Sequence, residues 1–278
     1  MRWGLIALLA VATTSPAAGA PSPLMSPGDA VAGHPGMDYI ALVRLAVPDL
    51  ALNPDDHEIE GHLTVPSPRL LAGDASDAPA STDPIALGNV QDKRILVGGH
   101  RRIALLADVG DGEALLILYD DDGPVPRVLD QANVGLDRYT VFVDDARLRL
   151  GPGDEALATY SEHDDADLTM GHYLLISTVD DRLQMINHFD VNSVRMCGWS
   201  GVQSARFATR PDAGRRFRRI DLAVTYVVSR IAETCGDQRP KSHKQVYRAS
   251  YRWDAAQRRF LTSSDALKRL AAANVEAP

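Results

Sequence analysis

Apolar and polar positions change rhythm along this chain. Between Met37 and Leu50 the apolar residues Ile40, Val43 and Val47 recur at helical spacing and Pro48 ends the run, which predicts a short helix. From Lys93 onward the runs shorten to five to nine residues and are punctuated by Gly and Asp clusters, the pattern of strands and turns. RIALLAD (102–108) and ALLILYD (114–120) are unbroken apolar runs around the turn VGDGE, as in a hairpin covered on both faces. In YLLISTVDDRLQMINHF (173–189), Asp180 and Asp181 read as a two-residue turn, with Leu183, Met185 and Phe189 alternating with Arg182, Gln184 and His188 on the return strand.

Farther on, IDLAVTYVVSRI (220–231) sets Leu222, Val224, Tyr226 and Val228 on one face. QVYRASYRWD (245–254) sets Tyr247, Tyr251 and Trp253 opposite Arg248, Ser250 and Arg252. The closing SSDALKRLAAAN (263–274) carries a serine cap and an apolar stripe of Leu267, Leu270 and Ala271, which predicts a second helix. The fold expected from these patterns is mainly β, built of antiparallel sheets as a sandwich, an open barrel or propeller-like blades, with a short N-terminal helix and a C-terminal helix.

The first twenty residues have a different character: Arg2, an apolar run from Trp3 to Ala12, then small residues. That is the pattern of a secretory signal peptide, and the apolar run is too short to span a bilayer. Residues 21–36 are rich in Pro, Gly and Ser and read as a flexible lead-in, followed by one mainly β domain over 37–278 with a flexible loop at 73–84. The expected location is periplasmic or secreted, with no transmembrane segment in the mature chain. Two cysteines in an oxidising compartment predict a disulfide between Cys197 and Cys235, closing about 38 residues and contributing about 4 kcal/mol.

Charge is divided unevenly. The chain carries a formal net charge of -8, yet residues 108–181 hold 18 Asp and Glu against 4 Lys and Arg, whereas residues 182–270 hold 7 against 18. Either the two halves pair inside the fold or each faces a partner. RFATRPDAGRRFRRID (206–221) concentrates Arg206, Arg210, Arg215, Arg216, Arg218 and Arg219 around a turn, and guanidinium forks suit phosphate and carboxylate. In an exported protein those residues point to an anionic glycan, a lipid phosphate or an acidic protein surface, with no nucleic acid as partner and no cofactor. The function expected is a binding or envelope-associated module without catalysis of its own.

The competing reading is a metal-dependent hydrolase. TYSEHDDADLTMGHYLL (159–175) places His163, Asp165 and Asp167 at period two with His172 nearby, nitrogen and oxygen ligands of the kind zinc takes. HEIEGH (57–62) fails as a zinc motif, because its second histidine lies five residues on and would project about 140° away on a helix. The acids of YDDDGP (119–124) read as a solvated turn, three adjacent carboxylates being unable to converge on one cation.

Overall fold

The computed structural model describes residues 23–55, 57–63, 69–70, 84–110, 112–143, 148–231 and 241–276. The expected signal peptide, nearly all of the 73–84 loop and Cys235 lie outside them. Helix α1 (Tyr39–Arg44) starts where the Asp38 carboxylate accepts the Ala41 N–H at 2.7 Å, and it buries Tyr39, Leu42 and Val43. Strands β1 (Ala51–Leu52), β2 (Ile59–Gly61), β3 (Arg69–Leu70) and β4 (Ile85–Ala86) are short, and β1, β2 and β4 form a small antiparallel sheet.

The second sheet is formed by β5 (Val90–Val97), β6 (His100–Asp108), β7 (Ala114–Asp120) and β8 (Arg127–Asn133) as an antiparallel meander, with β3 added parallel to β8. The third has nine strands. Six are β9 (Val141–Phe142), β10 (Leu148–Arg149), β11 (Glu155–Asp165), β12 (Leu168–Ser177), β13 (Gln184–Met196) and β14 (Trp199–Arg210). Then come β15 (Arg219–Arg230), β16 (His243–Asp254) and β17 (Arg259–Leu261). From β10 to β17 each strand pairs with the next, and β9 lies beside β11. Helix α2 (Ala266–Glu276) follows, the Ser264 hydroxyl accepting the Ala266 N–H.

The mainly β, antiparallel architecture with a helix at each end is thus as the apolar rhythm predicts. The 102–120 hairpin is covered on both faces because its sheet is a middle layer. One face packs on α1 and the N-terminal segment, the other on Leu157, Leu174, Ile176 and Leu183 of the large sheet. The large sheet curls around a third core, in which Phe217, Trp253 and Phe260 stack edge to face, and it does not close into a barrel. In α2 the buried stripe is Ala266 and Leu270; Ala271 faces solvent.

Polar contacts stitch the two large sheets together. Arg102, 5 % exposed, grips Asp181 with both arms of its fork (Nε to Oδ1 2.8 Å, Nη2 to Oδ2 3.1 Å) and reaches Asp120 at 2.8 Å and Asp122 at 3.2 Å. The Leu183 N–H donates to the Asp130 carboxylate at 2.8 Å, and the Phe142 N–H to Gln91 Oε1 at 2.8 Å.

Three expectations change. YDDDGP is no solvated turn: Asp120 and Asp122 meet Arg102, while Asp121 turns inward to Arg94 at 2.9 Å and His34 at 2.7 Å. Residues 23–36 are no loose lead-in, since Met25 bridges to Val90 through two backbone hydrogen bonds and Val31 and His34 are buried. The alternation of 183–189 breaks at a β-bulge: Ile176 pairs with Met185 but Leu175 with Asn187, so Ile186 is supernumerary and Met185 is exposed.

Gly171 explains itself by contact. A Cβ there would lie 2.5 Å from the Tyr160 ring, which covers the glycine. Gly171→Ala is expected to displace that ring and cost about 1–3 kcal/mol, the range of overpacking, read as a lowered thermal midpoint. Arg102→Leu leaves three carboxylates without their shared cation and is expected to cost about 2–4 kcal/mol in urea unfolding.

Candidate functional site

Two regions gather functional side chains, and both follow from strand geometry. In the first, the period-two alternation of β14, β15 and β16 turns Arg206, Arg210, Arg248 and Arg252 to the face opposite the core, with Arg219 opposite Arg210 on β15. Acids on this face are few. Arg210 and Arg219 share Asp221, each at 3.2 Å, while Arg215 and Arg252 share Asp212 at 3.5 and 3.8 Å. Arg206 meets no acid among the described residues. Arg216 lies over the Phe217 ring, 4.6 Å from its centre, and Arg218 donates to the Thr209 carbonyl at 3.1 Å.

The arginine turn, residues 211–218, stands between two concavities. A cleft of about 440 Å³ is lined by Arg149, Arg215, Arg216 and Arg218, with Asp212 as its acid. A second of about 630 Å³ is lined by Arg215, Arg216, Arg258 and Trp253, with Asp180 as its acid. Asp180, an acid of the 108–181 half, reaches this surface and pairs with Arg258 at 2.5 Å. The six sequence-predicted arginines therefore fall on one turn and the adjoining strands, and the acids that pair with Arg210, Arg215 and Arg219, namely Asp212 and Asp221, belong to the basic half.

The second region lies on the five-stranded-sheet side of β11 to β13. Of the four residues proposed as metal ligands, the fold brings two near each other. His163 and His172 both approach Asp137, at 3.3 and 3.8 Å. Asp165 and Asp167 are exposed at the β11–β12 hairpin tip, where Ala166 takes a positive φ, and join no histidine–acid cluster among the described residues. The strands run further into DDADLTMG than a polar connection would require, so those carboxylates flank a tight turn.

In their place the structure supplies His188 and Asp190. Asp190 is directly opposite His172 in the β12–β13 register, and His188 sits two residues earlier on the same face. His172 Nδ1 is 2.8 Å and His188 Nε2 3.1 Å from the same oxygen, Asp190 Oδ1. The bulge at Ile186 decides this. A plain two-residue turn at Asp180–Asp181 would set His172 opposite Phe189; the extra residue moves Asp190 into that place. Positive φ at Asp180 and Asp181 confirms the tight bend, but the connection spans Thr178–Leu183.

Asp137 arrives on the loop after β8. That loop is fixed where the Glu162 N–H donates to the Arg138 carbonyl at 3.0 Å, and where a Cβ on Gly135 would strike the backbone of Gly112 and Ala114 at 2.5 Å. The cluster is therefore a chain: His163, Asp137, His172, Asp190, His188. The H-x-D spacing of INHFDV was the available signal for the last two, because alternate strand residues share a face; their meeting with His172 depends on the bulge. Of the other motifs, HEIEGH contains strand β2 and no helix, with His62 paired to Asp49 at 2.8 Å. Cys197 is not a free thiol.

The hydrogen bond to Asp190 raises the His172 imidazole above its ordinary value, against the opposing effect of burial, and Asp137 adds to the rise. The hydrogen bond from His172, and then the close approach of the His188 ring, hold Asp190 well below the usual carboxylate range. A raised histidine contributes stability that is complete below its unfolded value near 6.5 and is lost as pH climbs through the folded one. A depressed aspartate contributes stability that is complete above about 4 and is lost as pH falls through the folded value. Both hold between about pH 4 and 6.5. The stability lost on Asp190→Asn, measured by urea unfolding in chelator, is expected to be largest in that window and smaller at pH 9.

No helix among the described residues is long and apolar enough to cross a membrane. No family model, curated protein or solved structure matches this chain.

Proposed function

We propose that this chain is an exported binding module whose arginine-rich segment, residues 206–219, recognises an anionic partner through phosphate, sulfate or carboxylate groups. Export rests on the signal-peptide pattern of residues 1–20. One observation carries the binding reading: the two clefts flanking Arg215 and Arg216 are lined by Arg149, Arg218 and Arg258 as well, against one acid in each. A concave surface with convergent guanidinium groups offers bidentate contacts to oxyanions that a flat, solvated hairpin tip does not.

Distribution supports the same reading. Arg206, Arg210, Arg248 and Arg252 continue the positive surface along the outer face of β14 and β16, and Asp221 and Asp212 are shared between arginines. Such a surface concentrates anionic ligands within about a Debye length, roughly 8 Å at physiological salt.

Retention on a heparin column tests this directly. With a net charge of -8 the whole chain should flow past a polyanion, so binding has to come from a local surface. The full chain is expected to be retained and to elute with salt. The double variant Arg206→Ser/Arg216→Ser, which removes two guanidinium groups that meet no acid among the described residues, is expected to elute at distinctly lower salt with its thermal midpoint unchanged. Vesicles containing an anionic phospholipid, run beside neutral ones, separate a lipid phosphate from a sulfated glycan as the source of the anion. Flow-through of the wild-type chain, or equal retention of the variant, would sink the proposal.

A further inference from the structure

We infer that His172, His188 and Asp190 form a binding site for a divalent transition-metal ion of the zinc class, with Asp137 as the carboxylate that orients His172. This site is separate from the arginine clefts and does not depend on how they are used. Among the described residues these three side chains form the group of histidines and acids whose donor atoms all lie within 4.8 Å of one another. Donors bound to one zinc at about 2.0–2.1 Å stand roughly 3.3 Å apart. The two contacts to Asp190 Oδ1, 2.8 and 3.1 Å, are close to that spacing, so side-chain rotation closes the rest.

Three features distinguish this arrangement from an ordinary surface ion pair. Two imidazoles converge on one carboxylate oxygen, their ring centres 6.1 Å apart, where a single histidine would satisfy the acid. His188 Nε2 is buried and, despite its short distance to Asp190, is not aligned for a hydrogen bond, so a buried nitrogen is aimed into the cluster without a hydrogen-bond partner among the described residues. His172 Nε2, the nitrogen turned away from the cluster, faces Asp137 Oδ2 at 3.8 Å. A carboxylate behind the far nitrogen of a ligating histidine is the recurrent way of fixing its tautomer and orientation.

The backbone beneath is held in place. Asn274 on α2 donates to the Asp190 carbonyl at 3.3 Å, and Gln203 accepts the Asn192 N–H at 3.1 Å while donating to Asn274 at 2.7 Å. Two imidazole nitrogens and one carboxylate suit zinc, cobalt, nickel or copper and disfavour calcium and magnesium, which take oxygen. With three protein donors, and Asp190 and His188 partly exposed, a fourth position is left to water or a small ligand.

Titration of the full chain with Co²⁺ alone, followed by visible absorption and calorimetry, tests the assignment. One ion per chain is expected, displaced by Zn²⁺ and not by Ca²⁺ or Mg²⁺. His188→Ala and Asp190→Asn are each expected to weaken binding at least a hundredfold, and Asp137→Asn ten- to hundredfold with the stoichiometry kept. His62→Ala, which removes an exposed histidine paired to Asp49 elsewhere, is expected to change nothing. Far-ultraviolet dichroism confirms that each variant folds, and because His188 and Asp190 are partly exposed, His188→Gln provides a second variant of similar volume. Absence of saturable binding tighter than about 0.1 mM overturns the proposal. So does one-to-one binding that survives both His188 variants and Asp190→Asn, or that is lost with His62→Ala.

Discussion

Arg102 is the point on which the two large sheets are joined. Its guanidinium, almost withdrawn from water, receives Asp120 from the end of β7, Asp122 from the turn after it and Asp181 from the turn after β12, so one cation holds segments of both sheets. An arginine in such a place is expensive to desolvate unless its donors are met, and here the fork is matched by one bidentate and two single contacts. The Asp181 hydrogen bond pushes its already high proton affinity higher still, so the charge persists at every accessible pH. The apolar core between the sheets brings them together without direction. Arg102 and Asp130 supply the direction, because only one relative placement satisfies both.

That placement has consequences for the histidine cluster. The loop carrying Asp137 continues from β8 of one sheet, while His172, His188 and Asp190 stand on β12 and β13 of the other. The Thr178–Leu183 connection, gripped by Arg102 and Asp130, precedes the bulge that sets the β12–β13 register. A strand register is ordinarily pinned by burial of one face, and a bulge shifts it by one residue at the cost of a local break. Here the shift exchanges Phe189 for Asp190 opposite His172, and leaves Phe189 stacked on Tyr173 in the other core.

Much of the fold was legible from local pattern. Strict alternation in 220–228 and 247–253 marked half-exposed strands, unbroken apolar runs at 103–107 and 114–118 marked a sheet covered twice, and a serine cap marked the start of the second helix. The arginine turn was equally plain, because its residues are contiguous and the strands on either side carry them outward. What local pattern misread was polar. Asp120, Asp121 and Asp122 look like a solvated turn until Arg102 and Arg94 are brought against them. The lead-in looks flexible until Met25 and His34 find Val90 and Asp121. Each of those contacts joins residues far apart in sequence, which composition cannot reveal.

By itself, then, the sequence determined the antiparallel β class, the terminal helices and the exposed arginine turn, since each depends on side-chain periodicity over a few residues. Only the tertiary structure decided which acids meet which cations and which histidines converge. His163, Asp165 and Asp167 share a period-two spacing, yet two of them end at an exposed hairpin tip. His188 and Asp190 share a period-two spacing too, but His172, sixteen residues before His188, is brought to them by one supernumerary residue in a hairpin. The physical reason is that alternation fixes which face of a strand a side chain occupies, whereas register and sheet packing fix its neighbours, and those are set by contacts summed over the whole fold.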